Sequence, residues 1–406
     1  MKGNKQLSLS DFDVSLTRGF LPEEDPLTEL PPGLEFLDDV GNNLPELIES
    51  KKILTVAKTL PILPDRYLDR LNKRELMLAW VRCSHVLSGD VHTQTASPKI
   101  VPRNLAELAC AIAEKLGVPP ILQYFPYTLN NWKRKDPNGP IKVDNLELIQ
   151  MFLRIPEQSW FNLIHVDIEN EAGLGISNLW EANLCVEHGP IRILEFALLS
   201  INESITSMIT TMKRMPEGTF PDTYHRIRPW IMSFENVIYE GVNEYNGQPQ
   251  TFRGQTGAQT SIFQALEAGM QMPRLSDNKL SIHLFDMRKY MLPKHREFIE
   301  YLETNSKVRE FILSSAPHLI DLYDECVLSI LTFLAIHLGY AFYYIHKQTD
   351  NPKGTGGTDF MDYLGERIKE RWEKGFIKPR TEDDFKIFIN NMRKVVKELV
   401  AEVGNG

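Results

Sequence analysis

The chain has 406 residues, 42% hydrophobic and 24% charged, which is enough for a substantial core and argues against a disordered protein. Its 54 acidic residues outnumber 45 basic ones, and the net charge of −9 argues against nucleic acid or an anionic membrane surface as the main partner. The four cysteines form no C-x-x-C pair, which excludes a cysteine-rich zinc or iron–sulfur site and suits a reducing cytosol.

The N-terminal part of the chain begins with a polar, proline-bearing segment, residues 1–34, which predicts an extended arm on the surface. Its first residues, MKGNKQLSLSDFDVSL, contain no apolar run of signal-peptide length, so we expect a cytoplasmic protein. Helical spacing of apolar residues then predicts helices over 43–60, 65–87 and 104–116.

An irregular segment, VPPILQYFPYTLNNWKRKDPNGP, follows these helices. We place a domain boundary just after it, which gives a small N-terminal domain, 1–150, and a large helical domain, 151–406. The remaining pattern is mostly helical with little strand signal, so the predicted fold class is mainly α. Helices are predicted over 158–172, 191–215, 220–234, 261–272, 293–314 and 360–403, with a long loop over 241–260.

Residues 327–345, VLSILTFLAIHLGYAFYYI, form the most apolar stretch and contain no Asp, Glu, Lys or Arg. A helix that is apolar on all sides is buried on all sides, and one histidine, His337, lies in its middle. Three interpretations remain open on these residues alone: a core helix with a hydrogen-bonded histidine, a membrane span, or a helix that offers a neutral imidazole to a metal or haem. The absence of a flanking Lys or Arg cluster disfavours the membrane span.

Three further motifs have both a structural and a functional interpretation. The segment KGTGGTD is either a flexible surface loop or a mobile lid over a pocket. In TYHRIRPW, the two arginines, Arg226 and Arg228, point to different faces of a helix, and each forms either a surface ion pair or a bond to a buried carboxylate. The segment FRGQTGAQTS either caps the following helix or lines a pocket.

Together and in this order, these motifs resemble the indoleamine 2,3-dioxygenases, haem enzymes that open the indole ring of tryptophan. The resemblance runs from about residue 9 to the end of the chain. It also includes SLSDFDVSLTRGFLP, SWFNLIHVDIE and DMRKYMLPKHREFI, and the arm and GQTGAQTS form are more similar to microbial, fungal or invertebrate members than to vertebrate ones.

The resemblance implies a role for individual residues. It puts the proximal haem ligand, and therefore the iron ligand, at His337, the haem edge at Gln255, Thr256 and Gly257, and a catalytic distal group at His165. The predicted substrate-binding residues include Arg228 for the carboxylate and Thr355 for the ammonium group. The remaining predicted substrate contacts form the wall of the indole pocket: Tyr124, Tyr127, Thr128, Phe161 and Tyr224.

Three positions depart from the vertebrate pattern. His165 stands where vertebrate enzymes have a distal serine, Leu334 where they have an arginine three residues before the proximal histidine, and Thr223 where they have an aromatic residue. The leucine removes an ion-pair partner from the proximal helix, and the threonine is expected to loosen the pocket.

The resemblance therefore predicts a monomeric, cytoplasmic dioxygenase with haem b as cofactor and O2 as co-substrate. It inserts both oxygen atoms into the indole C2=C3 bond of L-tryptophan to give N-formylkynurenine. Neither nucleic acid nor a membrane is an expected partner. Two alternatives stay open, a haem-binding sensor or carrier that has lost efficient catalysis and a related enzyme that acts on another indole, and Leu334 and Thr223 motivate the first of them.

Overall fold

The computed structural model describes residues 7–64, 66–273, 279–349, 353–357 and 360–403. The mainly α prediction is confirmed, because helices dominate these ranges and the strands are short. The N-terminal part contains five α-helices: α1 (Glu35–Asn42), α2 (Leu44–Glu49), α3 (Ile53–Val56), α4 (Lys73–Thr93) and α5 (Arg103–Leu116).

Helix α4 is the core of this part, since almost every residue from Met77 to Val91 is buried. It begins at a capping box, in which the Asn72 side chain accepts hydrogen bonds from the backbone N–H groups of Arg74 and Glu75, and the Glu75 carboxylate accepts one from the Asn72 backbone N–H. Helix α5 packs on α4 and ends at Gly117, whose left-handed φ of 69° is typical of a glycine C-cap.

The C-terminal part consists of ten more helices. They are α6 (Pro156–His188), α7 (Ile191–Lys213), α8 (Pro221–Ile227), α9 (Ile262–Gly269), α10 (Lys279–Arg288), α11 (Pro293–Asn305), α12 (Val308–Ser315), α13 (Ile320–Tyr344), α14 (Phe360–Lys374) and α15 (Glu382–Val403). Helices α6 and α7 pack along their length, and α13 packs against α7, α14 and α15. The apolar stretch around His337 is therefore a core helix of the bundle.

Strands occupy little of the described chain. They are β1 (Lys99–Val101), β2 (Lys133–Arg134), β3 (Leu146–Glu147), β4 (Phe234–Tyr239) and β5 (Gln250–Phe252). Strand β4 pairs in parallel with β1 and antiparallel with β5, while β2 and β3 form a separate antiparallel pair. The first sheet joins the two halves of the chain, and the domain boundary near residue 150 remains a prediction.

Several predicted helices differ from the observed ones in extent. The helix predicted over 220–234 is wrong beyond Ile227, because a 3-10 turn (Arg228–Ile231) follows and the chain then enters β4. Helix α6 extends well past residue 172, whereas the stretch 43–60 is divided among short helices. The final helix pair over 360–403 is confirmed as α14 and α15.

Two segments of the described chain, Ile191–Glu217 and Pro317–Gln348, are long and apolar enough to cross a bilayer by length and composition. The first contains α7 and the second contains α13, and these two helices pack against each other. A core helix of a bundle has the same length and composition.

Candidate active site

His337 lies in the middle of α13, between buried neighbours such as Phe333, Leu334 and Tyr340. Its imidazole has a large accessible surface. Protein atoms still surround the ring closely enough that burial lowers its pKa to about 4. A side chain with accessible surface inside an enclosed environment faces an interior space. At neutral pH the ring is uncharged, which is the form that binds a metal ion.

The residues above and below His337 connect its helix face to two other elements. Phe333, one turn before, packs against Phe263 of α9 with ring centroids 4.6 Å apart. Tyr344, two turns after, contacts the ring of Tyr224 in α8 at 6.0 Å and donates a hydrogen bond from its hydroxyl to the Thr219 carbonyl at 2.7 Å. Residues seven apart share a helix face, so α8 and α9 approach the side of α13 that carries the histidine.

Helix α6 contributes Phe161 and His165, whose ring centroids are 4.8 Å apart. The Nδ1 atom of His165 lies 2.7 Å from the Phe161 carbonyl oxygen, and because a carbonyl only accepts, Nδ1 carries the proton. Burial lowers the pKa of His165, so the ring is neutral and its Nε2 is a hydrogen-bond acceptor. His165 also lowers the pKa of His337, which means that the two imidazoles lie within electrostatic range of each other.

Two predicted wall residues, Tyr127 and Thr128, lie in a buried π-helical turn (Phe125–Leu129), and Tyr124 directly precedes it. Such turns are rare and frequently occur at functional sites. Tyr124 contacts the His165 ring at 6.5 Å and donates its hydroxyl to the Glu169 carboxylate at 3.0 Å. The turn thus forms a wall beside His165.

Helix α8 and the 3-10 turn after it position Tyr224 and Arg228, which are one helical turn apart. Tyr224 packs on Phe161 with ring centroids 4.7 Å apart. Arg228 is only 8% exposed, and its Nε and Nη2 atoms have no hydrogen-bond partner in the described chain. Burial lowers the pKa of this guanidinium without removing its charge, so the site contains a buried cation to which the described residues offer no carboxylate.

The segment 255–257 and the glycine loop lie against each other. Ser233 donates a hydrogen bond to the Thr355 carbonyl at 2.8 Å, and Arg253 donates one to the Gly356 carbonyl at 3.2 Å. A Cβ atom on Gly356 would lie 3.4 Å from the Thr256 side chain, an ordinary van der Waals distance, so the loop packs directly on the segment 255–257 at this point. The described part of the loop, 353–357, buries Thr355, and residues 358–359 lie outside the described chain.

The contacts therefore join many, but not all, of the predicted site residues. Tyr124, Phe161, His165 and Tyr224 form one connected aromatic cluster. Within the described ranges, neither Gln255 nor Gly257 makes a hydrogen bond or ring contact with that cluster. Gln255 is buried, and Gly257 is exposed.

Glu169 is a site residue that the sequence interpretation missed. It is buried on α6, one turn after His165, and one carboxylate oxygen accepts hydrogen bonds from Tyr124 and from Thr260 at 2.7 Å. Burial raises its pKa to about 7. The spacing of four residues from His165 was visible in the sequence, but its two hydroxyl partners lie 45 and 91 residues away along the chain.

Comparison with known proteins identifies the family. The family model for indoleamine 2,3-dioxygenase matches residues 8–353. The chain belongs to the indoleamine 2,3-dioxygenase family. It is 33% identical to indoleamine 2,3-dioxygenase 1 of Rattus norvegicus, with 93% of this chain and 97% of the relative covered.

Other members of the indoleamine 2,3-dioxygenase family are also similar over most of their length. Indoleamine 2,3-dioxygenase 2 of Homo sapiens is 28% identical, with 92% of this chain and 97% of the relative covered. The 6-hydroxytryptophan 2,3-dioxygenase of Fusarium equiseti is 28% identical, with 88% and 95% covered. The resemblance stated from the sequence motifs is confirmed, and the chain is an oxidoreductase of the dioxygenase class.

Indoleamine 2,3-dioxygenases depend on haem, and the residues of this chain fit that cofactor. His337 offers one neutral, inward-facing imidazole from an apolar helix, which is the donor that a single axial ligand requires. Within the described residues, no group of three or more His, Cys, Asp or Glu side chains is arranged to hold a metal ion. A porphyrin supplies its own four nitrogen ligands, so one protein ligand is sufficient.

The three departures from the vertebrate pattern have distinct surroundings. His165 belongs to the aromatic cluster, and Leu334 is buried in α13. Thr223 is half-buried, and its backbone N–H donates a hydrogen bond to the Asp222 carboxylate at 2.8 Å. Their effects on activity remain predictions.

Proposed function

We propose that this indoleamine 2,3-dioxygenase inserts both atoms of O2 into the indole C2=C3 bond of L-tryptophan and releases N-formylkynurenine. The observation that carries the proposal is the buried Arg228 guanidinium, which has two N–H groups without a protein partner next to the aromatic ring of Tyr224. A ligand that satisfies both features has a carboxylate and an aromatic ring. An aromatic amino acid such as L-tryptophan is a ligand of this kind. In the proposed reaction, both oxygen atoms that are added to it come from one O2 molecule.

His337 would hold haem b through its imidazole, and the bound haem would supply O2 binding and oxidation chemistry. The chain's own residues position the substrate. Arg228 pairs with the carboxylate through charge-assisted hydrogen bonds, and the Phe161 and Tyr224 rings pack against the indole. Thr355, at the buried tip of the glycine loop, offers its hydroxyl to the substrate ammonium group.

His165 acts as a hydrogen-bond acceptor in this proposal. Its Nδ1 proton is already donated to the Phe161 carbonyl, so the neutral ring presents an unprotonated Nε2. The indole N–H is a donor and matches this atom, whereas bound O2 is an acceptor and does not. The imidazole therefore orients the indole ring rather than contacting O2.

A second candidate substrate is a hydroxylated indole amino acid. Tyr127 and Gln158 are buried, and the Gln158 side chain interacts with the Tyr127 hydroxyl, but neither that hydroxyl nor the Gln158 Nε2 has a hydrogen-bond partner of ordinary geometry in the described chain. A ring hydroxyl on the substrate would satisfy these groups, and the Fusarium equiseti relative is named for 6-hydroxytryptophan. Tyr127→Phe should lower kcat/KM for 6-hydroxytryptophan and leave that for tryptophan nearly unchanged; an equal loss for both substrates contradicts this candidate.

We also propose that the protein works as a cytoplasmic monomer with no membrane partner. All four cysteines are unpaired thiols, and three of them are buried: Cys83, Cys185 and Cys326. Unpaired thiols suit a reducing compartment. Fractionation of the native cells and sedimentation of the purified protein test these points, and a membrane-bound pool or a stable dimer would contradict them.

The decisive experiment is turnover of the haem-reconstituted full chain. The reduced protein is mixed with L-tryptophan and 18O2 under single-turnover conditions, and the product is analysed by mass spectrometry. We expect N-formylkynurenine with two 18O atoms. A protein that binds haem but yields no oxygenated tryptophan supports the alternative of a haem-binding sensor or carrier, and a protein without a Soret band excludes both.

A further inference from the structure

A buried group of three charged residues lies on the α9 side of α13. The Glu267 carboxylate in α9 binds Nη2 of Arg367 at 2.8 Å and Nη2 of Arg371 at 2.5 Å, and both arginines belong to α14. All three side chains are less than a tenth exposed. One carboxylate between two guanidiniums leaves a net charge of +1 inside the protein, and we call this group the α9–α14 triad.

All members of the α9–α14 triad are charged at neutral pH. Burial by itself raises the pKa of Glu267, but the adjacent Arg367 and Arg371 reverse this effect and hold the pKa at about 2. The Nε atoms of both arginines make no hydrogen bond in the described chain. Among the described residues no second carboxylate pairs with either arginine, and the field of this positive charge extends into the surrounding protein.

Helices α9 and α13 run antiparallel, because the Phe263 ring contacts the Phe333 ring at 4.6 Å while the Tyr323 hydroxyl donates to the Met270 carbonyl, so Glu267 lies toward the start of α13. Gly375, at the end of α14, lies against Met272 and Val327, so α14 also runs antiparallel to α13. Arg367 is eight residues, or about 12 Å of helix, before Gly375, which places it on the His337 side of the triad. Helix α14, which carries both arginines, also packs directly on α13.

Helix α13 has no cation of its own near the histidine. Residues 327–345 contain no Lys or Arg, and position 334, where the resemblance puts an arginine in vertebrate enzymes, is a buried leucine. A positive charge from another helix is the remaining source of a cationic field on this side of His337. The α9–α14 triad is such a source within the described chain.

We propose that Arg367, held in place by Glu267, is a positioning residue for His337 that supplies the proximal side of the site with the positive charge that α13 lacks. The inference rests on the proposed role of His337 as the haem ligand. A nearby positive charge stabilises the ferrous state relative to the ferric state, because the ferric centre carries one more positive charge. Arg367 therefore favours the reduced iron that binds O2, and it does so from the helix that follows the glycine loop.

The test is a redox titration of haem-loaded variants of the full chain. Arg367→Met removes the charge, Arg367→Lys retains it, and Glu267→Gln retains the shape but raises the net charge of the triad by one. We expect Arg367→Met to lower the ferrous-to-ferric ratio at a fixed potential about tenfold, which is about 59 mV for a one-electron couple. Glu267→Gln should shift the ratio in the opposite direction, and Arg367→Lys should stay close to the parent protein.

Arg309→Met is the matched control. Arg309 donates hydrogen bonds to the Gly375 and Phe376 carbonyls and stacks on Tyr323, which is 14 residues, or about 21 Å of helix, before His337. Its loss should lower the melting temperature without moving the redox midpoint. A resonance Raman measurement of the iron–histidine stretch provides a second readout, which we expect to change in Arg367→Met and to stay unchanged in Arg309→Met.

Redox midpoints that shift in opposite directions in Arg367→Met and Glu267→Gln support the proposal, because a loss of packing in both variants would shift the midpoint in the same direction. An unchanged midpoint in Arg367→Met, or shifts of the same sign in both variants, overturns it. If Arg367→Met does not retain haem, the direction of the Glu267→Gln shift decides alone. If the parent protein itself binds no haem, the proposed function fails rather than this inference.

Discussion

The two sides of the candidate site differ in how many of their buried polar atoms have hydrogen-bond or ion-pair partners. On the side formed by α6, α8 and the π-helical turn, several buried atoms have no partner in the described chain, among them the Tyr127 hydroxyl, one Glu169 oxygen and two Arg228 nitrogens. On the side formed by α9, α13 and α14, both oxygens of Glu267 are paired with guanidiniums. Among the buried polar atoms described on that side, the Nε atoms of the two arginines are the ones without a partner.

This difference is the one expected between a binding site for an exchangeable ligand and one for a permanent ligand. We call the side with Arg228 the exchangeable side and the side with His337 the permanent side. An unpaired buried donor costs about 1–3 kcal/mol, so a wall with several such atoms is less stable alone than with a ligand that binds them. The Arg228 wall is therefore suited to a substrate that arrives and leaves. The His337 wall is internally paired around one neutral imidazole, which suits a cofactor that remains bound.

The largest expected effect tests the permanent side. His337→Ala removes the only imidazole of α13, and we expect the variant to lose haem during gel filtration because no other ligand on that helix replaces it. Soret absorbance per mole of protein measures the loss. The control is His346→Ala, an exposed histidine just beyond the end of α13 that packs on Phe342. Full haem retention by His337→Ala would refute the ligand assignment.

The next effect tests the exchangeable side. Arg228→Leu removes the buried guanidinium, and a charge-assisted pair of about 1.5–3 kcal/mol corresponds to a rise in KM for tryptophan of roughly 10- to 150-fold. Binding of tryptamine, which lacks the carboxylate, should change little.

Arg226→Leu is the matched control for that variant, since Arg226 lies two residues before Arg228, in the last turn of α8, but is exposed. It should leave KM close to the parent value. Equal effects of the two substitutions, or an equal loss for tryptamine, would show that Arg228 stabilises the helix rather than binding the carboxylate.

The sequence predicted these two sides unequally. His337 was apparent because an uncharged helix with one central histidine is a local pattern, and α13 is confirmed as a buried helix. The helix predicted through residue 234 failed after Ile227 because β4 pairs with β1, whose residues lie more than a hundred positions earlier in the chain. Local periodicity carries no information on such a partner.

The burial and pairing of charged residues were the least predictable features. The segment TYHRIRPW did not indicate which arginine is buried, and the structure buries Arg228 while exposing Arg226. The pairing of Glu267 with Arg367 and Arg371 joins residues about a hundred positions apart, so no spacing rule reveals it. The connected aromatic cluster was accessible only through the family resemblance, which supplied Tyr124, Phe161 and Tyr224 before any contact was known.

A smaller effect concerns the ionisation of Glu169 on the exchangeable side. Burial raises its pKa from the ordinary value of 4.5 to about 7, so between these values the folded protein keeps a proton that the unfolded chain has lost. The free energy of unfolding therefore falls as pH rises through this window, by up to about 1.4 kcal/mol per pH unit from this group. Above about pH 7 both states are ionised and the slope vanishes.

Glu169→Gln should remove that slope, because the amide oxygen still accepts from Tyr124 and Thr260 but does not titrate. Urea unfolding at several pH values between 5 and 8, with the two proteins compared at each pH, isolates this group from other titrating residues. Parallel stability curves for parent and variant would mean that the carboxylate titrates normally.

The smallest effect tests whether the glycine loop belongs to the exchangeable side. The backbone of Thr355 is held by Ser233, and the neighbouring Gly356 carbonyl is held by Arg253, so the loop position does not depend on the threonine side chain. Thr355→Ala should therefore leave haem content unchanged and raise KM for tryptophan by about 2- to 10-fold, the value of one hydroxyl hydrogen bond. Thr355→Ser keeps the hydroxyl and should restore the parent KM. If the serine variant is as impaired as the alanine variant, the methyl group packs the loop and the hydroxyl does not bind substrate; if neither is impaired, the loop lies outside the exchangeable side.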